Sequence, residues 1–290
     1  MKITDLFSTG GPLLSFEVFP PKNDDRHDGV TAAALGIAAL KPAFMSVTYG
    51  AGGSNSRNTT EIASRIQNEY GVPALAHMTC IGSGLEALER QINEMKSAGI
   101  ENIMALRGDV PREGIKEPGV FAHTSELIPF IREKGDFCVG AACYPEGHPE
   151  CENRKKDIEN LKIKVDSGCD FLTTQMFFDN NIMYNFLYQI REAGITVPVL
   201  AGIMPITNVK QIIRTRDMTG TALPRKFTSL LDRFGSDPES MKRAGIIYAT
   251  EQILELVANG VDRIHLYTMN KPEIARAIQA NLKGLCFDDV

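Results

Sequence analysis

No window of the 290-residue chain approaches the roughly 18 uninterrupted apolar residues of a membrane span, and the opening MKITDLFSTGGPLLSF lacks the apolar core of a secretory signal. A cytoplasmic protein with no membrane partner is expected. Long Lys/Arg runs are missing too: the densest cluster, Arg154, Lys155 and Lys156, reads as the solvated start of a helix. With a net charge of −5, a nucleic-acid surface is not expected. The six cysteines include no C-x-x-C pair and several sit in apolar runs, so they read as reduced structural thiols. In CYPEGHPEC, Cys143, His148 and Cys151 are candidate zinc ligands, but no further ligand stands at a matching spacing. No metal centre is expected, and His148, next to Pro149, reads as a fixed hydrogen-bonding group. The first strand is followed by no G-x-G-x-x-G, and YGAGGSNSRNTT lacks the order of a P-loop, so it reads as a loop rather than a phosphate cradle.

What the chain does have is regularity. Eight apolar, β-rich runs recur at residues 13–19, 44–50, 74–80, 102–108, 137–145, 171–178, 197–205 and 263–270. Between them lie segments of helical periodicity; in SGLEALERQINEMKSAG, Leu85, Leu88, Ile92 and Met95 recur at three- and four-residue steps and Gly99 supplies the stop. The same glycine ending recurs in VDSGCD, REAGIT and VANGVD. Strands alternating with helices call for a parallel sheet buried on both faces. Eight units predict a closed (β/α)8 TIM barrel, with a doubly wound open sheet as the alternative. The long gap between strands seven and eight, with LPRKFTSLLDRF and DPESMKRAGIIYATEQILELVANG, predicts extra helices there. No linker or repeat divides the chain, so residues 1–290 are expected to form a single domain.

Barrel enzymes gather their chemistry at the carboxyl ends of the strands. There the runs supply Glu17, Thr48, Tyr49, His77, Thr79, Arg107, Asp109, Tyr144, Glu146, His148, Gln175, Tyr267 and Asn270, which predicts one convergent polar site. In SFEVFPPK, strand alternation puts Ser15, Glu17 and Phe19 on one face and Phe16 and Val18 on the other. Glu17 then has two readings. Either it is paired with a neighbouring Arg, or it lies in a dry pocket where burial raises its pKa to about 6 or 7 and makes it a general acid. Arg107 and Asp109 flank Gly108, which suits a salt-bridged turn or the close approach of a planar ligand to the backbone.

SFEVFPPK, SVTYGAGG, AHMTC, ALRGD, AACYPEGHPE, the spacing of Asp157, Asn160 and Lys164, TTQMFF, GIMPITN and LYTMN occur together and in order. The set closely resembles methylenetetrahydrofolate reductase of the bacterial, single-domain type, over residues 13 to 280. The resemblance implies a (β/α)8 barrel holding noncovalent FAD at its carboxyl face, and a ping-pong reaction in which NAD(P)H and then 5,10-methylenetetrahydrofolate meet the flavin. It implies Glu17 as the general acid that helps open the folate's five-membered ring. Asp109 is implied near both flavin and pterin, tuning the flavin potential by its charge. Thr48, Tyr49, Ala51, His77, Arg107, Gly108, Tyr144, His148, Asp157, Asn160 and Lys164 match FAD contacts, as do Phe121 and Ala122, with Phe121 replacing a frequent tyrosine. Arg107 and Lys164 are the diphosphate partners. Gln175 matches a residue touching nicotinamide and folate in turn, Gln211 one near folate, and Lys271 stands where many members carry Arg for the folate carboxylate tail. Thr215 falls where some members place a phenylalanine and is unassigned. No S-adenosylmethionine-binding regulatory domain is expected, and a homo-oligomer is implied. Other readings are the same flavoprotein fed by ferredoxin or a partner protein, a flavin-free barrel binding or transferring a folate-borne methyl group, and a noncatalytic folate-binding subunit.

Overall fold

The computed structural model describes residues 1–8, 10–21, 27–49, 56–109, 119–285 and 287. Its strands are β1 (Leu13–Val18), β2 (Met45–Val47), β3 (Ala74–Thr79), β4 (Asn102–Leu106), β5 (Cys138–Cys143), β6 (Phe171–Thr174), β7 (Val199–Ile203) and β8 (Arg263–Tyr267). Each pairs in parallel with the next, and β8 returns to β1, giving the closed barrel that the eight apolar runs predict. The open-sheet alternative is thereby excluded. Several strands are shorter than their runs because residues such as Arg107 and Gly108 have already left the ladder and turned toward the mouth.

Helices alternate with these strands: α1 (Ile3–Phe7), α2 (His27–Ala38), α3 (Ser56–Tyr70), α4 (Leu85–Ser97), α5 (Thr124–Lys134), α6 (Arg154–Asp166), α7 (Asn180–Glu192), α8 (Val209–Thr219), α9 (Arg225–Phe234), α10 (Pro238–Ala258) and α11 (Pro272–Leu282). Polar caps fix where many of them begin: Asn153, Asp179, Asn208 and Asp237 each accept a backbone N–H of the first turn of α6, α7, α8 and α10. Gly99 and Gly194, at φ 72° and 76°, take the left-handed conformation expected of a helix stop. No described helix is long and apolar enough to cross a membrane.

The long β7–β8 connection carries α8, α9 and α10, as the sequence predicts. These helices build an apolar cluster of their own, in which Ile212, Phe227, Met241 and Tyr248 meet Met176, Phe178 and Ile206 from the ends of β6 and β7. Tyr248 donates to the Phe178 carbonyl at 2.5 Å and Gln252 to the Phe177 carbonyl at 3.0 Å, tying the addition to the barrel.

Inside the barrel the lowest layer is apolar: Leu13, Phe44, Leu75, Met104, Cys138, Phe171 and Leu200 pack together with Ile3. The short α1 closes this end, with Phe7 edge-on to Phe171 at 5.6 Å. Buried Asn102 holds α1 in place, accepting from the Ile3 amide at 2.8 Å and donating to the carbonyls of Met1 and Ala74, each at 3.1 Å. Among the described residues, the buried polar side chains of Ser15, Ser46, His77 and His265 lie above this plug.

Candidate active site

Closure of β8 onto β1 sets the register Ser15↔His265 and Glu17↔Tyr267, and β2 brings Ser46 opposite Glu17. Residues distant in sequence therefore meet in one layer. Glu17 Oε2 accepts the Ser46 hydroxyl at 3.2 Å and lies 3.5 Å from His265 Nε2 and 3.6 Å from His77 Nε2. Its side chain is 20% exposed, against 7% for His77 and 2% for His265. Glu17 sits at the lip of a buried polar layer, and the imidazoles rather than an Arg are its neighbours.

The electrostatics correct one expectation. Burial pushes the Glu17 carboxyl up, but the His265 contact, the nearby His77 and the Ser46 hydroxyl together outweigh it, and the net displacement is downward. Glu17 is thus an anion at neutral pH in the ligand-free mouth, and becomes an acid only if a proton is supplied to it. Burial lowers His77 to about 4, so its ring is neutral there. Tyr267 is displaced well above its ordinary value, again by burial first, and its hydroxyl donates to the Thr174 carbonyl at 2.5 Å.

The rim is formed by loops after the strands. Thr48 follows β2 and its carbonyl accepts from Thr59 Oγ1 at 3.0 Å; the Tyr49 hydroxyl accepts from Gln91 at 3.1 Å. Ala51 lies outside the described residues. Arg107 grips Glu150 with both terminal nitrogens, at 2.5 and 2.9 Å, so the salt-bridge partner is Glu150 rather than Asp109. Asp109 is exposed. Gly108 adopts φ +91°, and a Cβ there would stand 2.9 Å from Ile81 Cγ2, so a glycine is needed to turn the rim. Tyr144 and His148 meet edge-on at 4.6 Å, and His148 Nδ1 accepts the Glu150 amide at 3.1 Å, which fixes its ring as expected.

On α6, Asp157 pairs with Arg154 at 3.3 Å, Asn160 is exposed beside Cys151, and Lys164 donates to the Ala142 carbonyl at 2.7 Å. Phe121 packs on Phe130, while the Ala122 amide is taken by Glu126 at the start of α5. Across the mouth, the Gln175 side chain accepts its neighbour's amide at 3.0 Å. Lys271 donates to Thr207 Oγ1 at 3.0 Å, and Gln211 accepts the Thr207 amide at 3.1 Å, so these two share one partner. Thr215 is buried against Met204 and offers no aromatic face.

His77 Nε2 is buried and has no hydrogen-bond partner among the described residues. Such an atom at a polar mouth is suited to a ligand's donor or acceptor. Among the described residues no cluster of His, Cys, Asp and Glu has the arrangement of a metal site, and Cys80, Cys138, Cys143, Cys151 and Cys169 are free thiols.

A family model for methylenetetrahydrofolate reductase matches residues 2–283. The chain belongs to this family. It is 37% identical over 265 residues to the 5,10-methylenetetrahydrofolate reductase of Pectobacterium carotovorum subsp. carotovorum, covering 91% of this chain and 88% of that protein. Identity to the Escherichia coli K12 protein of the same name is 36% over the same shares. Methylenetetrahydrofolate reductase (NADH) 1 of Arabidopsis thaliana is 36% identical over 97% of this chain but 50% of its own length, so the chain spans half of that plant relative. Among solved structures, an uncharacterized Clostridium thermocellum protein described as binding two copies of 5-methyl-5,6,7,8-tetrahydrofolic acid superposes with a TM-score of 0.66 at 12% identity, over 97% of this chain and 98% of that one. At that identity the likeness speaks to the barrel fold.

The sequence reading missed Ser15, Ser46 and His265. A signal for two of them exists: Ser15 stands two residues before Glu17 and His265 two before Tyr267, hence on the same strand face. Ser46 comes into reach only through the β1–β2 register.

Proposed function

We propose that this chain reduces 5,10-methylenetetrahydrofolate to 5-methyltetrahydrofolate with electrons from NAD(P)H, using noncovalent FAD, in the cytoplasm. The observation that carries the proposal is the Glu17 carboxylate set among His77, His265 and Ser46 at the mouth of a barrel whose family match spans residues 2–283. The name NADH on the Arabidopsis relative favours NADH as donor.

The residues present suit a flavin. The unpartnered His77 Nε2 offers a polar contact, Arg107 a planar cation for a diphosphate, and the tight turn at Gly108 a bare backbone for a flat ring. Thr48, Tyr49, Ala51, Phe121, Ala122, Tyr144, His148, Asp157, Asn160 and Lys164 complete the set proposed to hold FAD. Bound there, FAD would supply two-electron hydride chemistry. Glu17 delivers the proton that opens the folate's five-membered ring, Asp109 lies near both flavin and pterin, Gln175 meets nicotinamide and folate in turn, Gln211 lies near the folate, and Lys271 receives its carboxylate tail.

The test is an anaerobic absorbance titration of the purified protein with NADH, then NADPH, then methylenetetrahydrofolate. Bleaching of the oxidised-flavin band with recovery on adding the folate supports the proposal and names the donor. A flavin that neither nucleotide bleaches refutes the nicotinamide donor in favour of a protein donor, and a colourless protein that takes up no flavin refutes the cofactor.

A further inference from the structure

His265, like Ser15 and Ser46, is almost wholly buried beneath Glu17. Phe44 stacks beneath its ring at 5.9 Å and 16°, and Tyr267 meets it edge-on at 5.5 Å and 86°. The hydrogen bonds around it leave two placements of its ring hydrogen. The Ser15 hydroxyl lies 3.1 Å from the Ile264 carbonyl and 2.8 Å from His265 Nδ1: with its one hydrogen on the carbonyl, Nδ1 is the donor of the second contact, and with that hydrogen on Nδ1, the ring hydrogen sits on Nε2. In either case Nε2 is the nitrogen that faces Glu17. It faces the Ser46 hydroxyl at 3.1 Å, and that hydroxyl also reaches Glu17 Oε2 at 3.2 Å.

With Nδ1 as donor, two arrangements satisfy every group in this row. In one, Nε2–H donates to Ser46 Oγ and the Ser46 hydroxyl donates to an anionic Glu17. In the other, a protonated Glu17 donates to Ser46 Oγ and the Ser46 hydroxyl donates to a bare Nε2. They differ by one proton and the turn of one hydroxyl. With Nδ1 as donor, a neutral His265 facing an anionic Glu17 leaves Nε2 and Oε2 to compete for one Ser46 hydrogen; with the ring hydrogen on Nε2 the row is satisfied but His265 has no proton to spare, so the state of Nδ1 separates the two.

We propose that His265 is a positioning residue that shares one proton with Glu17 through the Ser46 hydroxyl and loads Glu17 as the acid of the folate half-reaction. The claim rests on the function proposed above. In the transfer, the Nε2–H bond breaks as a bond to Ser46 Oγ forms, and the hydrogen that Ser46 held passes to Oε2. Glu17 then gives that proton to the folate ring nitrogen, which keeps the electron pair of the breaking carbon–nitrogen bond. Water at the mouth afterwards reprotonates Glu17, and the same relay run backwards returns the proton to Nε2. The other titratable groups facing the row stand aside at neutral pH. Burial keeps His77 neutral, with a pKa of about 4, and Tyr267 remains a phenol whose hydrogen is committed to Thr174. From β7, the residue in register with His265 is Gly202, which carries no charge.

Two measurements test this on the full-length holoprotein. In ¹⁵N-histidine NMR, His265 Nδ1 is expected to be protonated across pH 6–9, roughly the range below and above the ordinary imidazole value, with Nε2 changing toward its bare form in Glu17→Gln. An unprotonated Nδ1, or a Nε2 signal indifferent to Glu17→Gln, overturns the shared proton whatever the substrate is. In anaerobic stopped-flow, Ser46→Ala is expected to slow folate reduction at least about tenfold, within the range of acid catalysis. Its alkaline limb should move to lower pH, while flavin reduction by NADH serves as the internal reference. Equal rates and coincident pH limbs in Ser46→Ala and parent overturn the relay. A parent that reduces no methylenetetrahydrofolate refutes the proposed function instead, and the NMR result still decides the proton's position.

Discussion

Glu17→Gln isolates the proposed acid role because the substitution changes little else. The glutamine keeps the side chain's length and planarity, and its carbonyl oxygen can still accept the Ser46 hydroxyl now 3.2 Å from Oε2. What it loses is the ability to carry and release a proton. General acid catalysis contributes about 10²- to 10⁴-fold, which at 1.36 kcal/mol per tenfold is roughly 3–5 kcal/mol of barrier. The folate half-reaction should fall by that factor, whereas flavin reduction by NADH, which requires no proton from Glu17, should keep most of its rate. The stability effect has a definite sign. Because the folded Glu17 pKa lies below its ordinary 4.5, the carboxylate stabilises the fold above that value and the contribution fades as pH drops through the folded pKa. The variant should therefore be slightly less stable than the parent at pH 7, with the gap closing in acid. Separate anaerobic stopped-flow traces for each half-reaction, with a melting curve at each pH, make the measurement. An equal loss in both half-reactions in a folded, flavin-bound variant would refute the acid role.

The pH dependence of stability should carry a mark of His77. Its folded pKa of about 4 lies below the ordinary 6.5, so its contribution is complete above pH 6.5 and is lost as pH falls toward 4, up to about 3 kcal/mol; urea unfolding of parent and His77→Asn from pH 7 to 4.5 should converge, and parallel curves would contradict it. Gly202→Ala would place a Cβ 2.3 Å from the Thr174 carbonyl and 2.6 Å from the Tyr267 hydroxyl. Overpacking of this kind costs about 1–3 kcal/mol, and an unchanged melting temperature would show that β7 yields freely. Glu150→Gln frees Arg107 from an ion pair whose side chains are 27% and 58% exposed, so its worth is at most about 1 kcal/mol after solvent screening. If FAD diphosphate takes Arg107, fluorescence titration should show affinity rising by up to about fivefold at low salt and less at high salt; weaker binding would mean that Glu150 aids the cofactor.

Much of the barrel was legible because a parallel strand covered on both faces is an uninterrupted apolar run, and eight such runs with glycine-stopped helices between them leave few architectures. Strand ends were less legible. Arg107 and Gly108 continue the apolar run's rhythm in sequence, yet the chain there has already turned into the mouth. Helix α1 left no signal, since five residues have no periodicity to read and the contact that holds it, Asn102, is about a hundred positions away. For the site, alternation in SFEVFPPK put Ser15 and Glu17 on one face, but their partners depend on how the barrel closes. Register between β1, β2, β3 and β8 is a tertiary fact, and it is what converts an isolated carboxylate into one flanked by two imidazoles.

That closure also explains why Glu17 differs from an acid held in a simple apolar pocket. Below it lies a sealed layer: Ser15, Ser46 and His265 are at most 1% exposed, and Phe44 of the apolar plug stacks under the His265 ring. Above it is the open mouth. The seam beside Glu17 is fastened by Thr268, whose hydroxyl donates to the Glu17 carbonyl at 2.6 Å, and by Asn270, whose side chain takes the Phe19 amide at 3.0 Å and donates to its carbonyl at 2.8 Å. Met269 and Asn270 both sit at positive φ, 53° and 54°, a costly conformation for non-glycine residues that those bonds help to hold. The carboxylate thus has a fixed backbone, a buried proton store beneath it and solvent only on the substrate side. A ligand entering the mouth removes that solvent and disfavours the anion, so occupancy of the site and movement of the proton onto Glu17 favour one another.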